Sequence, residues 1–217
     1  MNMKNLILLG AGGLGKEIYG VALQSKGYGQ EFVVKGFLDF PKEDWPSIYP
    51  PILGLEDDYE IQPDDVFICA VGDVPTKKRI CEKIIAKGGK FWTLVHTLAQ
   101  ILPGAVLGEG TIVDSFAVIG SDAVIGSHCL IQIGAVVGHE ACVGDFTRID
   151  CHVVVVGGVQ VGREVTIHTG SVINHKVVVE DNSKVGALSF VVRRVRKGTI
   201  VQGNPAQRLY LPPGRNQ

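Results

Sequence analysis

The chain has 217 residues, enough for one large domain or two small ones. Its hydrophobic content of 46% and charged content of 20% describe a globular protein and exclude a disordered one. A formal net charge of −1 gives no bulk electrostatic drive towards nucleic acid or an anionic membrane, so neither partner is expected. The start, MNMKNLILLGAGG, runs from a short apolar stretch into a glycine cluster and not into a cleavage site. It reads as a strand and not as a signal peptide. No apolar stretch reaches the roughly 18 residues of a membrane span, and a cytoplasmic location is expected. The five cysteines are scattered without a CxxC pair or zinc spacing, which fits a reducing compartment and packing roles for the three inside the repeat described below.

Residues 5–10 (NLILLG) form a continuous apolar run, the pattern of a buried parallel strand. The glycine loop GAGGLG follows at residues 10–15, and an amphipathic helix is expected over residues 13–26, closed by Gly27. Residues 32–38 read as a second strand ending at Asp39, and the proline-rich segment 41–51 as a loop. Residues 65–71 read as a third strand ending at Gly72. Pro75 opens a helix to about Lys87, and residues 91–95 read as a short last strand. The alternation predicts a small α/β domain with a largely parallel sheet over residues 1–95.

The texture then changes. From Ile101 to Val191 an aliphatic residue recurs at every sixth position without a miss, and the fourth residue after each is usually small. A period of six belongs to neither a helix nor an ordinary strand; it is the signature of a hexapeptide β-helix. Three hexads make a triangular turn of 18 residues, so residues 98–195 are expected to form about five turns of a prism stacked at the strand spacing of roughly 4.8 Å. The polar tail, residues 196–217, is expected to cap the open end. Alternate members of the valine run 153–156 must face outward, which points to a partner surface and to a homotrimer with prism faces packed together.

Three motifs carry chemistry. The glycine loop lies between a strand and a helix, where backbone N–H groups and the helix dipole can hold phosphate, and Asp39 ends the next strand, where it could accept from a hydroxyl. A domain of this size has room for one mononucleotide half, so a nucleotide or nucleotide-sugar is expected rather than NAD. His139 lies two positions after an anchor, at a slot near a corner, with Glu140 beside it; imidazole is suited to general base work near neutral pH. Residues 18 apart stack, which places Gly157 above His139 and His175 above that, and a groove for a slender ligand is expected over Gly157. His128, His152 and His168 are expected at the surface or an interface. The basic stretch Arg193–Lys197 could meet phosphates.

The whole chain resembles the hexapeptide-repeat acyltransferases that acetylate amino sugars on a nucleotide, of the bacillosamine and perosamine type, and the related sialic acid O-acetyltransferases. The resemblance rests on GAGGLG (residues 10–15), FLDF (37–40), AVGD (70–73), LVHTLA (94–99), GHEACVGDF (138–146) and GNPAQ (203–207). It implies a small Rossmann-like α/β domain followed by a left-handed parallel β-helix. It implies His139 as general base assisted by Glu140, a nucleotide-sugar held by Gly12, Gly13, Leu14, Asp39, Phe40 and Gly72, and acetyl-CoA held between subunits near Arg148, Gly157, Thr169 and Ala187, with no metal. The reaction implied is direct acetyl transfer to an amine, most naturally that of a 4-amino-4,6-dideoxy sugar; O-acetylation of a sugar hydroxyl, a trimeric zinc hydratase and a non-catalytic nucleotide-binding module are the alternatives. The chain departs from the family at Arg148, where histidine is frequent, at Gln132, where asparagine is frequent, and at Phe40, where a polar residue is common.

Overall fold

A computed structural model describes residues 2–209. The first part is a parallel sheet of β1 (Lys4–Leu9), β2 (Phe32–Leu38), β3 (Asp65–Cys69) and β4 (Lys90–Phe91) in the order β2-β1-β3-β4. Alternation along β1 sends Leu6 and Leu8 to one core and Ile7 and Leu9 to another. Helix α1 (Gly13–Leu23) covers the first through Ile18 and Ala22. Helix α2 (Val74–Ala86) covers the second through Cys81 and Ile84. Both faces are therefore buried, which is why β1 and β3 read as unbroken apolar runs. Helix α1 ends earlier than its apolar pattern, at Leu23, because the chain turns there to bridge Ser25 to His96.

The segment expected as one strand over residues 91–95 is two. Lys90–Phe91 pairs with β3, whereas Leu94–Val95 pairs with Ile112–Val113 and is already the first rung of the prism. No side-chain pattern marks the switch, since each piece is only two residues long.

From Leu94 the chain winds as a left-handed parallel β-helix of two-residue strands in three sheets. The anchors from Val113 to Val191 form one continuous buried column, each aliphatic side chain contributing about 1.5–3 kcal/mol relative to exposure. The small slot four residues on does more than relieve crowding. Thr111, Thr147 and Ser171 each donate to a carbonyl of the next turn, at Gly126, Gly162 and Gly186, over 2.8 Å. Corners are tight: the third residue after the anchor takes a left-handed conformation, with φ of 56–58° at Phe116, Asp122, His128, Glu140, Phe146 and His152. After Val191 the period breaks, and Val195 and Val201 turn inward beside Val179 and Val185, two residues early. Gln207–Arg208 then runs antiparallel to Ile200–Gln202 along that edge; the tail beyond residue 209 lies outside the described residues.

The three prism faces differ in what they meet. The docked face presents Leu94, Ile112 and Leu130 outward, and these join the core of Leu6, Leu8 and Ile18. The valine face presents Val118, Val136, Val154, Val172 and Phe190, all half-buried. The third face presents Val106, Val124, Cys142, Gln160 and Val178. Among the described residues no helix is long and apolar enough to cross a membrane.

Candidate functional site

The strand order β2-β1-β3-β4 sends the crossovers from β1 in opposite directions, so a crevice opens at the carboxyl ends of β1 and β3. Open α/β sheets bind ligands at this switch point. A cleft of about 220 Å³ lies there, lined by Gly10, Asp39, Phe40, Val71, Thr76 and Arg79 among others. The glycine loop forms its rim. A Cβ on Gly15 would overlap the Gly10 carbonyl, so only glycine lets α1 start against the strand end. Gly12 is the N-cap of α1 and supplies no side-chain cap, which leaves the first-turn N–H groups open to an anion. Helix α2 is the opposite case: Asp73 accepts from the Thr76 N–H at 3.0 Å and from its hydroxyl at 2.6 Å, and these bonds hold the Asp73 carboxyl below its ordinary range.

Asp39 is occupied by the loop it was expected to complement. Its Oδ2 accepts from Ala11 N–H at 2.6 Å and its Oδ1 from Phe40 N–H at 2.7 Å. Lys42 donates to the Ala11 carbonyl beside it. The carboxylate thus fixes the shape of the loop, and lone pairs remain for a hydroxyl. Phe40 is 70% exposed at the cleft edge.

The His139–Glu140 pair lies at the corner between the valine face and the third face. Neighbours on a strand would point apart, but the φ of 56° at Glu140 swings its carboxylate to the same side, and His139 Nδ1 stands 3.1 Å from Glu140 Oε2. Both side chains are mostly exposed, so in the single chain the pair is weak. A carboxylate on Nδ1 fixes the tautomer and leaves Nε2 free to take a proton. The groove expected over Gly157 is filled by the histidine itself: a Cβ there would lie 2.5 Å from His139 Nε2. Glycine is needed so that the imidazole can lie along the prism edge. The Gly157 N–H makes no hydrogen bond among the described residues and stands ready as a donor.

Arg148 joins the two parts of the chain. Its Nη1 donates to the Gly72 carbonyl at 3.2 Å, and its Nε donates to Asp150. Asp150 also accepts from His168 Nδ1 at 3.0 Å; burial alone would raise its carboxyl, but His168 and Arg148 together hold it below its ordinary range. A cleft of about 580 Å³ runs past Gly72, Arg148, His168 and Lys184. Leu14 borders Gly72 from α1. Thr169 and Ala187 stand at the other edge of the valine face from His139, both exposed, so one chain alone does not bring the four expected acetyl-CoA residues together.

Other histidines and the cysteines differ in part from expectation. His128 is not at the surface: it is 6% exposed, stacked on Phe146 and set edge-on to Phe91 where the prism meets the α/β sheet. Burial pushes its pKa down to about 4. Cys129 fills an interior slot, and burial raises its thiol to about 11, but Cys142 precedes an anchor and so faces outward. The sequence reading missed Asp150, although its spacing of 18 to His168 is one full turn and could have revealed the pair. The basic stretch lines a groove of about 440 Å³ at the far end of the prism with Arg193, Arg194, Arg196 and Arg208. Among the described residues no three His, Cys, Asp or Glu side chains are placed to share a metal ion.

Comparison with known proteins adds to this geometry. Residues 5–84 match the family described as the PglD N-terminal domain. The UDP-N-acetylbacillosamine N-acetyltransferase of Bacillus subtilis (strain 168) is 37% identical over 51 residues, a stretch spanning only 24% of this chain and 24% of that protein. The acetyltransferase domain of PglB from Neisseria gonorrhoeae FA1090 superposes with a TM-score of 0.87 at 28% identity, covering 95% of this chain and all (100%) of that one; it has also been solved in complex with acetyl coenzyme A. PerB from Caulobacter crescentus, solved in complex with CoA and GDP-perosamine, shares the fold with a TM-score of 0.81 at 23% identity over 95% of this chain and 97% of that one.

Proposed function

We propose that this chain is a hexapeptide-repeat sugar acetyltransferase, which transfers the acetyl group of acetyl-CoA to the amine of a nucleotide-linked sugar. The observation that carries the proposal is the His139 corner, with Glu140 on Nδ1 and Gly157 beneath Nε2, on the same prism that holds a glycine-loop domain against its docked face.

The open N-terminus of α1, with Gly12, Gly13 and Leu14, takes the diphosphate, and the Phe40 ring lies against the nucleotide beside Asp39. Gly72 and the Arg148 that touches it mark the sugar end. We propose a homotrimer with the three valine faces turned to a common axis. That arrangement sets the His139 corner of one copy against the Thr169–Ala187 corner of the next, since these corners bound the same face on opposite sides. Arg148, Gly157, Thr169 and Ala187 then flank one intersubunit channel for acetyl-CoA, and the arginines at the far end of the prism suit its phosphates. Acetyl-CoA supplies the acetyl group as a thioester. His139 takes a proton from the attacking amine, Glu140 stabilises the imidazolium, and the Gly157 N–H donates to the developing oxyanion. No acyl-enzyme is required, so the cysteines have no role in transfer. We place the reaction in the cytoplasm.

The test is incubation with acetyl-CoA and UDP-, GDP- and dTDP-linked 4-amino-4,6-dideoxyhexoses and free sialic acid, read by product mass. One acetyl gained on an amine is expected. Acetylation of sialic acid or another hydroxyl alone would move the chain to the O-acetyl branch.

A further inference from the structure

The loop that joins β3 to α2 borders two clefts. The switch-point cleft includes Val71 at its start. The cleft of about 580 Å³ takes the next residues, Gly72 to Pro75, and closes them against Arg148, Thr166, His168 and Lys184 of the prism. Arg148 pairs with Thr166 and Thr166 with Lys184, so these three side chains stack up the docked face. Thr166 and His168 flank the inward anchor Ile167 and both turn outward. At His168 this cleft meets an imidazole held more firmly than that of His139. Asp150 is 4% exposed, and both its oxygens are in use: Oδ1 accepts from Arg148 Nε and Oδ2 from His168 Nδ1 at 3.0 Å. The Glu140 side chain, by contrast, is 71% exposed. An ionised carboxylate only accepts, so Nδ1 of His168 carries the proton and Nε2 keeps its lone pair. Nε2 makes no hydrogen bond among the described residues. A group that binds it must therefore donate a hydrogen. The acids of the cleft are already spent: Asp73 caps α2, and Glu164 is held by Lys78 at 2.7 Å. Lys184 has no salt bridge among the described residues, so an ammonium is a poor donor here, and a lone pair on Nε2 repels an anion. A sugar hydroxyl meets both conditions, since it donates to Nε2 and accepts from a cationic N–H beside it.

We propose that His168, fixed by Asp150, is a specificity-determining residue that accepts a hydrogen bond from the acceptor sugar's hydroxyl next to the reacting amine. The assignment rests on the nucleotide-sugar reading and deepens it. A molecule whose nucleotide fills the switch-point cleft and reaches past Gly72 enters the larger cleft with its sugar end. Thr169 follows His168 at the corner that the proposed trimer sets against the neighbouring His139. A 4-amine directed at that corner leaves the 3-hydroxyl of the same ring for Nε2. Asp150 is a positioning residue: it sets the tautomer and ring plane of His168 and, through Arg148, ties them to the Gly72 carbonyl. His168 binds and orients; it takes no proton in the transfer.

The test is calorimetric binding to the full-length protein, with acetyl transfer read in parallel by product mass. The probes are the UDP-, GDP- and dTDP-linked 4-amino-4,6-dideoxyhexoses, their 3-deoxy counterparts, and the free nucleoside diphosphates. The wild type is expected to bind the 3-hydroxy sugar about tenfold more tightly than the 3-deoxy sugar. His168→Phe is expected to abolish that preference while leaving the 3-deoxy sugar and the nucleoside diphosphate bound as before. His168→Gln, whose amide oxygen accepts in place of Nε2, is expected to restore part of it. The His168 side chain is 42% exposed and Asp150 keeps Arg148 as a partner, so both variants are expected to fold. A preference kept in full by His168→Phe would overturn the subsite. An equal loss on both sugars would also overturn it and would assign the dyad to holding Arg148 against Gly72. In either case acetyl transfer to the amine would leave the acetyltransferase reading intact. Failure to bind any nucleotide-sugar would overturn both.

Discussion

The α/β sheet and the prism choose their sites by different rules. In the sheet, strand order alone decides: the switch point between β1 and β3 exists whatever side chains line it, and the glycine loop adapts to it. In the prism every corner has nearly the same backbone, with φ near 57° at the same slot turn after turn. Topology singles out no corner there. Side chains and neighbours do: Glu140 and His128 occupy equivalent slots, yet one faces solvent beside an imidazole and the other is sealed between Phe91 and Phe146.

The largest effect should come from breaking that contrast at His128. Folded His128 resists protonation down to about pH 4, whereas the unfolded histidine titrates near 6.5. Its folded pKa is depressed, so the unfolded chain binds the extra proton in this window and stability falls as pH drops through it, by up to about 3 kcal/mol. His128→Phe should flatten the loss, because Phe116 and Phe146 already occupy the same slot at φ 58°; chemical denaturation between pH 4 and 7 reads it. Next, Gly157→Ala should displace the His139 ring and lower turnover about 10²-fold with little change in stability. Thr147→Val should strip the Gly162 carbonyl and the Val165 N–H of a shared partner and cost about 2 kcal/mol of prism stability by urea unfolding, with activity per folded molecule unchanged. Smallest, Glu140→Gln should keep the fold and lower the rate about tenfold, visible as a shifted pH–rate profile.

Much of this fold was legible because the prism writes its period into side chains: a residue every six positions defines rung, face and stacking, and residues 18 apart can be paired on paper. That arithmetic placed His139 beside Gly157. It did not show that the imidazole occupies the space over the glycine, since ring orientation depends on the corner conformation at Glu140. Long-range contacts between the two parts were illegible. The docking of Ile112 and Leu130 against Leu6 and Leu8, the burial of His128, and the reach of Arg148 to Gly72 all depend on how the α/β sheet lies on one face, which no local pattern encodes. The split of residues 91–95 was hidden for the same reason: it depends on which sheet receives Lys90–Phe91 and which receives Leu94–Val95.

The most direct measurement of the central claim is the single-turnover rate of acetyl transfer by wild-type and His139→Ala protein at saturating acetyl-CoA and amine acceptor. The account predicts a fall of at least about 10²-fold with acetyl-CoA affinity and oligomeric state unchanged. A rate within about twofold of wild type would contradict it, because the proton would then go to a group other than His139.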